Sequence, residues 1–252
     1  MAARHGICYM WHEGIAKRGA NEVSSCLLDF IKKKVEKGAK EFRFWSDNCP
    51  GQNRNRVVFS LYLYAAKEFG INITHSFLEK GHTQNEGDSV HAVIEKASAP
   101  RTIYSPNEWK ILVRWAKIDE NPYEVRDMSQ DNFYDFKILL KNKNWTKDTQ
   151  NKKMTWSYVK QVHTSGDHSN QLEYKYDLRK EFQTIIVRNA TRHFHAIDIE
   201  LHKAYDTPLP IQKDKYNDLI SLCNSGIIPE QYHEFYKTIT YGNIGVNDGD
   251  SE

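Results

Sequence analysis

The feature that most constrains this chain is the alternation of strand-like and helix-like hydrophobic patterns over its first hundred residues. Residues 7–11 form a short apolar run of strand length. Val23, Leu27, Phe30 and Ile31 then recur at helical spacing, and Gly38 follows as a stop. Residues 42–45 are rich in aromatics and read as a strand, ended by the turn formers of residues 46–51. Val57, Val58, Leu61, Tyr64 and Ala65 make a second helical stripe closed by Gly70. Residues 71–78 read as a third strand broken by Gly81, and a third helix runs from about Asp88 to Ala97. Strand and helix in strict alternation imply a mostly parallel sheet covered by helices. In such sheets the chemistry gathers beyond the carboxyl ends of the strands. That rule sets Asp47 and the turn at Gly81, His82 and Thr83 on one rim.

The pattern changes farther along. A helix through Trp109, Leu112, Val113 and Ala116 breaks at Asn121 and Pro122. Residues 131–140 read as a short amphipathic helix, residues 154–162 and 172–176 as edge-type strands, and residues 184–187 as an apolar strand. Two helices are expected at residues 216–223 and 229–239. The expected organisation is an α/β core over residues 1–120, a smaller α+β region over residues 121–246, and a polar, disordered tail over residues 247–252.

Composition narrows the class. With 252 residues, 39% of them hydrophobic and 12% aromatic, the chain can bury a proper core and is not a disordered polar chain. No apolar run approaches the ~20 residues that span a bilayer, so no membrane partner is expected. The first residues lack the apolar core of a signal peptide. The four cysteines show no CxxC pair, which argues against a zinc knuckle or a disulfide framework and for an intracellular location. A net charge of +2 permits a nucleic-acid partner without demanding one.

The third helix carries the sharpest chemistry. At about 100° per residue, Asp88, His91 and Glu95 share one narrow sector, and Val90, Val93, Ile94 and Ala97 lie opposite. An ordinary amphipathic helix with a wet polar face is the bland account. Solvated faces, however, usually mix Lys, Gln and Arg with Glu, whereas this one is Asp, His, Glu behind a Gly-His-Thr turn. Asp47 strengthens the case. It ends an apolar strand and is followed by Asn48, Gln52, Asn53, Arg54 and Arg56, more amides and guanidinium groups than helix capping requires. Carboxylates from a strand end and a later helix can hold Mg²⁺ or Mn²⁺ through oxygen. Two such ions can drive an in-line phosphoryl transfer. His82 or His91 would serve as a ligand for the softer ion or as a proton shuttle.

At these residues the sequence resembles a known family. The run Trp45-Ser-Asp-Asn-Cys-Pro-Gly-Gln-Asn-Arg-Asn55 and the run from Gly81 through His91 to Glu95 are similar to an animal domain of unknown function. That domain is identified with transposable elements and an RNase H-like core of the DDE transposase and integrase type. Trp11-His-Glu13, residues 18–26, residues 208–211 and the pair Ile228-Pro229 match its pattern too. The resemblance implies a mixed sheet flanked by helices, with Asp47 as the second acid of a metal-binding triad and Asp88 or Glu95 as the third. It also implies that the first acid would sit on a strand preceding this chain, so the chain is expected to be truncated at its start. Glu13 is the one nearby substitute. The implied activity is metal-dependent phosphoryl transfer on DNA in the nucleus, or an inactive copy of it.

Two other readings stand beside that one. A domesticated, non-catalytic module would bind nucleic acid or protein through Gln52, Asn53, Arg54, Arg56 and the lysine-rich middle. A single-zinc hydrolase would use His82, His91 and Asp88. The histidines of the second half (His163, His168, His193, His195, His202) span several elements and are expected to be scattered, and Trp145 and Trp156 to be packing residues.

Overall fold

The computed structural model describes residues 5–78, 86–117, 121–141, 143–168, 170–189 and 200–243. In chain order the first elements are β1 (Ile7–Met10), α1 (Ala20–Val35), β2 (Glu41–Ser46), α2 (Arg56–Phe69), β3 (Asn72–Phe77), α3 (Glu86–Ser98), α4 (Pro106–Ala116) and β4 (Glu124–Asp127). Then come β5 (Lys143–Asn144), β6 (Gln161–Ser165), β7 (Gln171–Lys175), β8 (Gln183–Ile186) and β9 (Arg188–Asn189). The last are β10 (Ile211–Gln212), α5 (Lys213–Asn224), α6 (His233–Lys237) and β11 (Tyr241–Gly242). No described helix is long and apolar enough to cross a membrane.

The chain is mixed α/β, and its compact units do not follow chain order. One unit, here the sheet unit, joins Arg18–Thr83 to Tyr134–Ala204. The companion unit joins Met1–Lys17, Gln84–Phe133 and Tyr205–Ser251. Along the chain each unit is left and re-entered after an excursion through the other.

The sheet unit is built on five strands in the order β2-β3-β6-β7-β8. β2 and β3 run parallel, and every other pair is antiparallel. Period-2 alternation puts Ile73, His75 and Phe77 of β3, Val162 and Thr164 of β6, and Leu172 and Tyr174 of β7 on the buried side. α2 packs there and is buried almost all round: Val57, Val58, Phe59, Leu61, Tyr62, Leu63, Ala65 and Ala66 all lie in the core. The sequence stripe covered only part of that circumference. The rest is buried because α1 and the turn at Phe136–Leu140 pack against α2. Asn55 starts the helix by accepting from the Val58 N–H at 3.0 Å, and Gly70 ends it in the left-handed conformation, φ 58°.

Three sequence expectations change. β1, expected in the main parallel sheet, pairs instead with β4 in the companion unit, Cys8 opposite Val125. Its Cys8 and Met10 pack with Leu112, Val113 and Tyr123, a partner choice that a run of strand-like residues does not encode. Residues 131–140 were read as one amphipathic helix and are two 3₁₀ turns, Gln130–Asn132 and Phe136–Leu140. Side chains supply the reason: the Asp135 carboxylate accepts from Lys137 N–H at 3.0 Å, and Asn21 Oδ1 accepts from Phe136 N–H at 3.0 Å. These local bonds hold the backbone out of a continuous helix. Residues 154–162, read as one strand, begin with a 3₁₀ turn at Trp156–Tyr158 before β6.

In the companion unit α3 packs on α4. Val90, Val93, Ile94 and Ala97 meet Leu112, Val113 and Tyr123, so the apolar face read from the sequence is the packed face. The tail at residues 247–252 lies outside the described residues.

Candidate functional site

Asp47 follows β2 directly, at the carboxyl end of the parallel β2–β3 pair. Its side chain is exposed, and Oδ1 accepts from Asn53 Nδ2 at 2.6 Å and from the Cys49 N–H at 3.3 Å. This is an Asx-type turn, the local structure favoured by Asp beside Asn, Pro and Gly. The Cys49 carbonyl closes it by accepting from the N–H groups of Asn53 at 2.8 Å and Arg54 at 3.1 Å. Asn48 fastens the turn to the sheet: its Nδ2 donates to the Leu78 carbonyl at 2.8 Å, just past β3. Its Oδ1 accepts from Arg54 Nη1 at 2.8 Å. Gln52 Nε2 donates to the Arg18 carbonyl at 3.2 Å, and Asn55 Nδ2 to the Pro50 carbonyl at 2.9 Å. Amides that looked surplus to capping therefore have defined tasks in holding the turn.

Arg54 is half-buried, and burial lowers its affinity for the proton from the usual guanidinium value. Its Nη1 bond to Asn48 occupies one N–H group of five. The others meet no acceptor among the described residues. Arg56, in the first turn of α2, is exposed.

Beneath the turn lies a polar relay that the sequence reading missed. His75 of β3 is buried, its Nδ1 bonded to the Tyr62 hydroxyl at 2.8 Å and its Nε2 to Ser46 Oγ at 2.9 Å. Ser46 Oγ in turn donates to the Asp47 carbonyl at 2.9 Å. Burial pushes the His75 pKa down to about 3, so the ring is neutral. The available signal was period 2: His75 stands between Ile73 and Phe77 on the apolar side of its strand. Asp148 was also unread. It is buried, accepting at Oδ1 from the N–H groups of Gln150 and Lys152 and at Oδ2 from the Tyr174 hydroxyl at 3.2 Å.

Glu13, Asp88, His91 and Glu95 belong to the companion unit. Asp88, His91 and Glu95 are exposed on the α3 face opposite its packed side. Glu13 forms an ion pair with Lys215 of α5. His82, with its Gly81 turn, lies outside the described residues. No group of three or more His, Cys, Asp or Glu side chains is gathered as a metal site would need among the described residues. Trp145 is buried and meets Trp156 edge-on at 5.9 Å, as packing residues do. His193 and His195 are not among the described residues, while His163 bonds to Thr74 Oγ1 at 2.9 Å on β3.

A family model described as a domain of unknown function, DUF7869, matches residues 2–181. Comparison with curated proteins and with solved structures finds no match.

Proposed function

The chain belongs to the DUF7869 family, and from that premise we propose a transposase-derived, RNase H-like domain whose sheet unit binds nucleic acid at the turn after β2. The observation that carries this reading is Arg54. It is a half-buried guanidinium, oriented by Asn48 at the carboxyl end of two parallel strands, with most of its donor fork uncommitted. A planar fork of that kind matches phosphate geometry, and the turn that holds it is fixed before any ligand arrives. Arg56, the first residue of α2, adds an exposed cation two residues on.

The test is binding of a fluorescein-labelled DNA by the full chain at 50 and 200 mM salt. Affinity is expected to fall as salt rises, because released counterions drive phosphate binding. Arg54→Gln is expected to weaken binding about tenfold with the melting temperature unchanged. Equal affinity of wild type and Arg54→Gln would remove the reading.

Phosphoryl transfer is the second reading, and the exposed Asp47 favours it. A divalent ion of the Mg²⁺ class takes one or two carboxylates together with water and substrate phosphate. Asp47 fits as one hard oxygen ligand: it is exposed, pre-oriented by Asn53, and Oδ2 makes no hydrogen bond among the described residues. When bound, such an ion would supply charge neutralisation at the transferring phosphate. What the chain itself does is hold the carboxylate and present Arg54 beside it. Mn²⁺ is expected to raise the melting temperature of wild type and leave Asp47→Ala unmoved. No shift in wild type would leave the binding reading alone.

A further inference from the structure

Next to the turn is a cleft of ≈ 400 Å³ within the sheet unit, and its chemistry goes beyond a phosphate contact. Arg54 and Asn48 of the turn line it together with Tyr158, Lys160 and Tyr176, and its lining includes the buried Phe77 and Val159. Two cations line the cleft and, among the described residues, no carboxylate does. Lys160 also acts on Asp177, whose carboxylate is held chiefly by its hydrogen bonds to Arg179.

The aromatic wall is as telling as the charge. Tyr158 is 67% exposed, a large ring left in water at the mouth of a cleft. It stands edge-on to Tyr176, with ring centroids 6.4 Å apart and planes at 88°. Tyr176 is itself anchored, its hydroxyl accepting from the Thr155 N–H at 2.8 Å and its ring against Tyr174 at 5.0 Å. The backbone of Lys160 is pinned on both sides: its N–H donates to the Lys175 carbonyl at 2.8 Å and its carbonyl accepts from the Phe77 N–H at 2.9 Å. The supporting wall is therefore rigid, and the free face of Tyr158 is the surface that remains to be covered.

We infer that this cleft seats one unstacked nucleotide of a single-stranded nucleic acid, its base on Tyr158 and its phosphate between Arg54 and Lys160. The volume suits a ligand of nucleotide size, and pockets of this order are common for small ligands. A base reaches such a cleft freely from a single strand, whereas a duplex must first unpair and unstack it. The inference rests on the nucleic-acid reading above and sharpens it from phosphate contact to strand state.

The full chain is titrated with a labelled single-stranded 12-mer and with the same sequence as a duplex, by fluorescence anisotropy. The single strand is expected to bind more tightly. Tyr158→Ala is expected to weaken single-strand binding about 5- to 150-fold, the loss of one stacked base, and to leave duplex binding unchanged. Tyr158→Phe keeps the ring and is expected to keep the affinity. Lys160→Ala should lower the slope of log affinity against log salt by about one. Equal binding of both forms, with Tyr158→Ala silent, would overturn the cleft while leaving the nucleic-acid reading in place. Failure to bind either form would overturn both. A free mononucleotide that binds as tightly as the 12-mer would reassign the cleft to small nucleotides and overturn the strand.

Discussion

His75 shows how one side chain ties the core of the sheet unit to its rim. Its two ring nitrogens join the buried Tyr62 hydroxyl to Ser46, the residue before Asp47. Unfolded histidine titrates near 6.5, and in the fold burial pushes this one down to about 3. Between those values the unfolded chain binds more protons than the folded one. Stability therefore rises with pH across that window and is lost as pH falls through it. The slope from this residue is at most about 1.4 kcal/mol per pH unit. His75→Gln, which keeps a donor and an acceptor, should flatten the melting temperature against pH between about 3 and about 6.5. His75→Ala should cost about 2–4 kcal/mol at neutral pH, from the cavity and the stranded Tyr62 hydroxyl, as read by denaturant unfolding.

Helix α3 is the element on which the two accounts of a polar face separate. Its apolar side is fixed against Leu112 and Val113 of α4, and its opposite side presents His91 and Glu95 to water. Exposed side chains of this kind contribute little to stability. His91→Ala and Glu95→Ala should each move unfolding by no more than about 0.5 kcal/mol, whereas Leu112→Ala should cost about 2–4 kcal/mol. A large loss in either exposed variant would show that the face is structural and remove it from the list of sites. The loop from Ser46 to Asn55 behaves differently. Its amides carry turn and capping bonds, so Asn48 and Asn55 serve the fold and Arg54 is what the turn presents.

At the scale of the molecule, much of the first hundred residues was legible because hydrophobic period is a local property. β2, α2, β3 and α3 stand where their spacing put them, and the packed side of α3 is the one its valines indicated. Strand partnership was not legible, since Ile7–Met10 offers the same apolar alternation whether it joins β2 or β4. Nor was the cleft, because Tyr158 and Lys160 come to Asn48 and Arg54 from about a hundred residues away through the antiparallel β3–β6 pairing. Asp47 and its amides were legible as a cluster, but their division of labour was not. Only the hydrogen bonds distinguish an amide that closes a turn from a guanidinium that remains to be used.

On the proposed reading, the turn after β2 and the cleft beside it form the nucleic-acid surface of this chain. Photocrosslinking the full chain to a 4-thiothymidine single strand, followed by peptide mapping, tests it most directly. Crosslinked peptides are expected from residues 46–56 and 157–160, with yield falling in Arg54→Gln and Tyr158→Ala. Crosslinks confined to other segments, such as Lys213–Asn224, would contradict it.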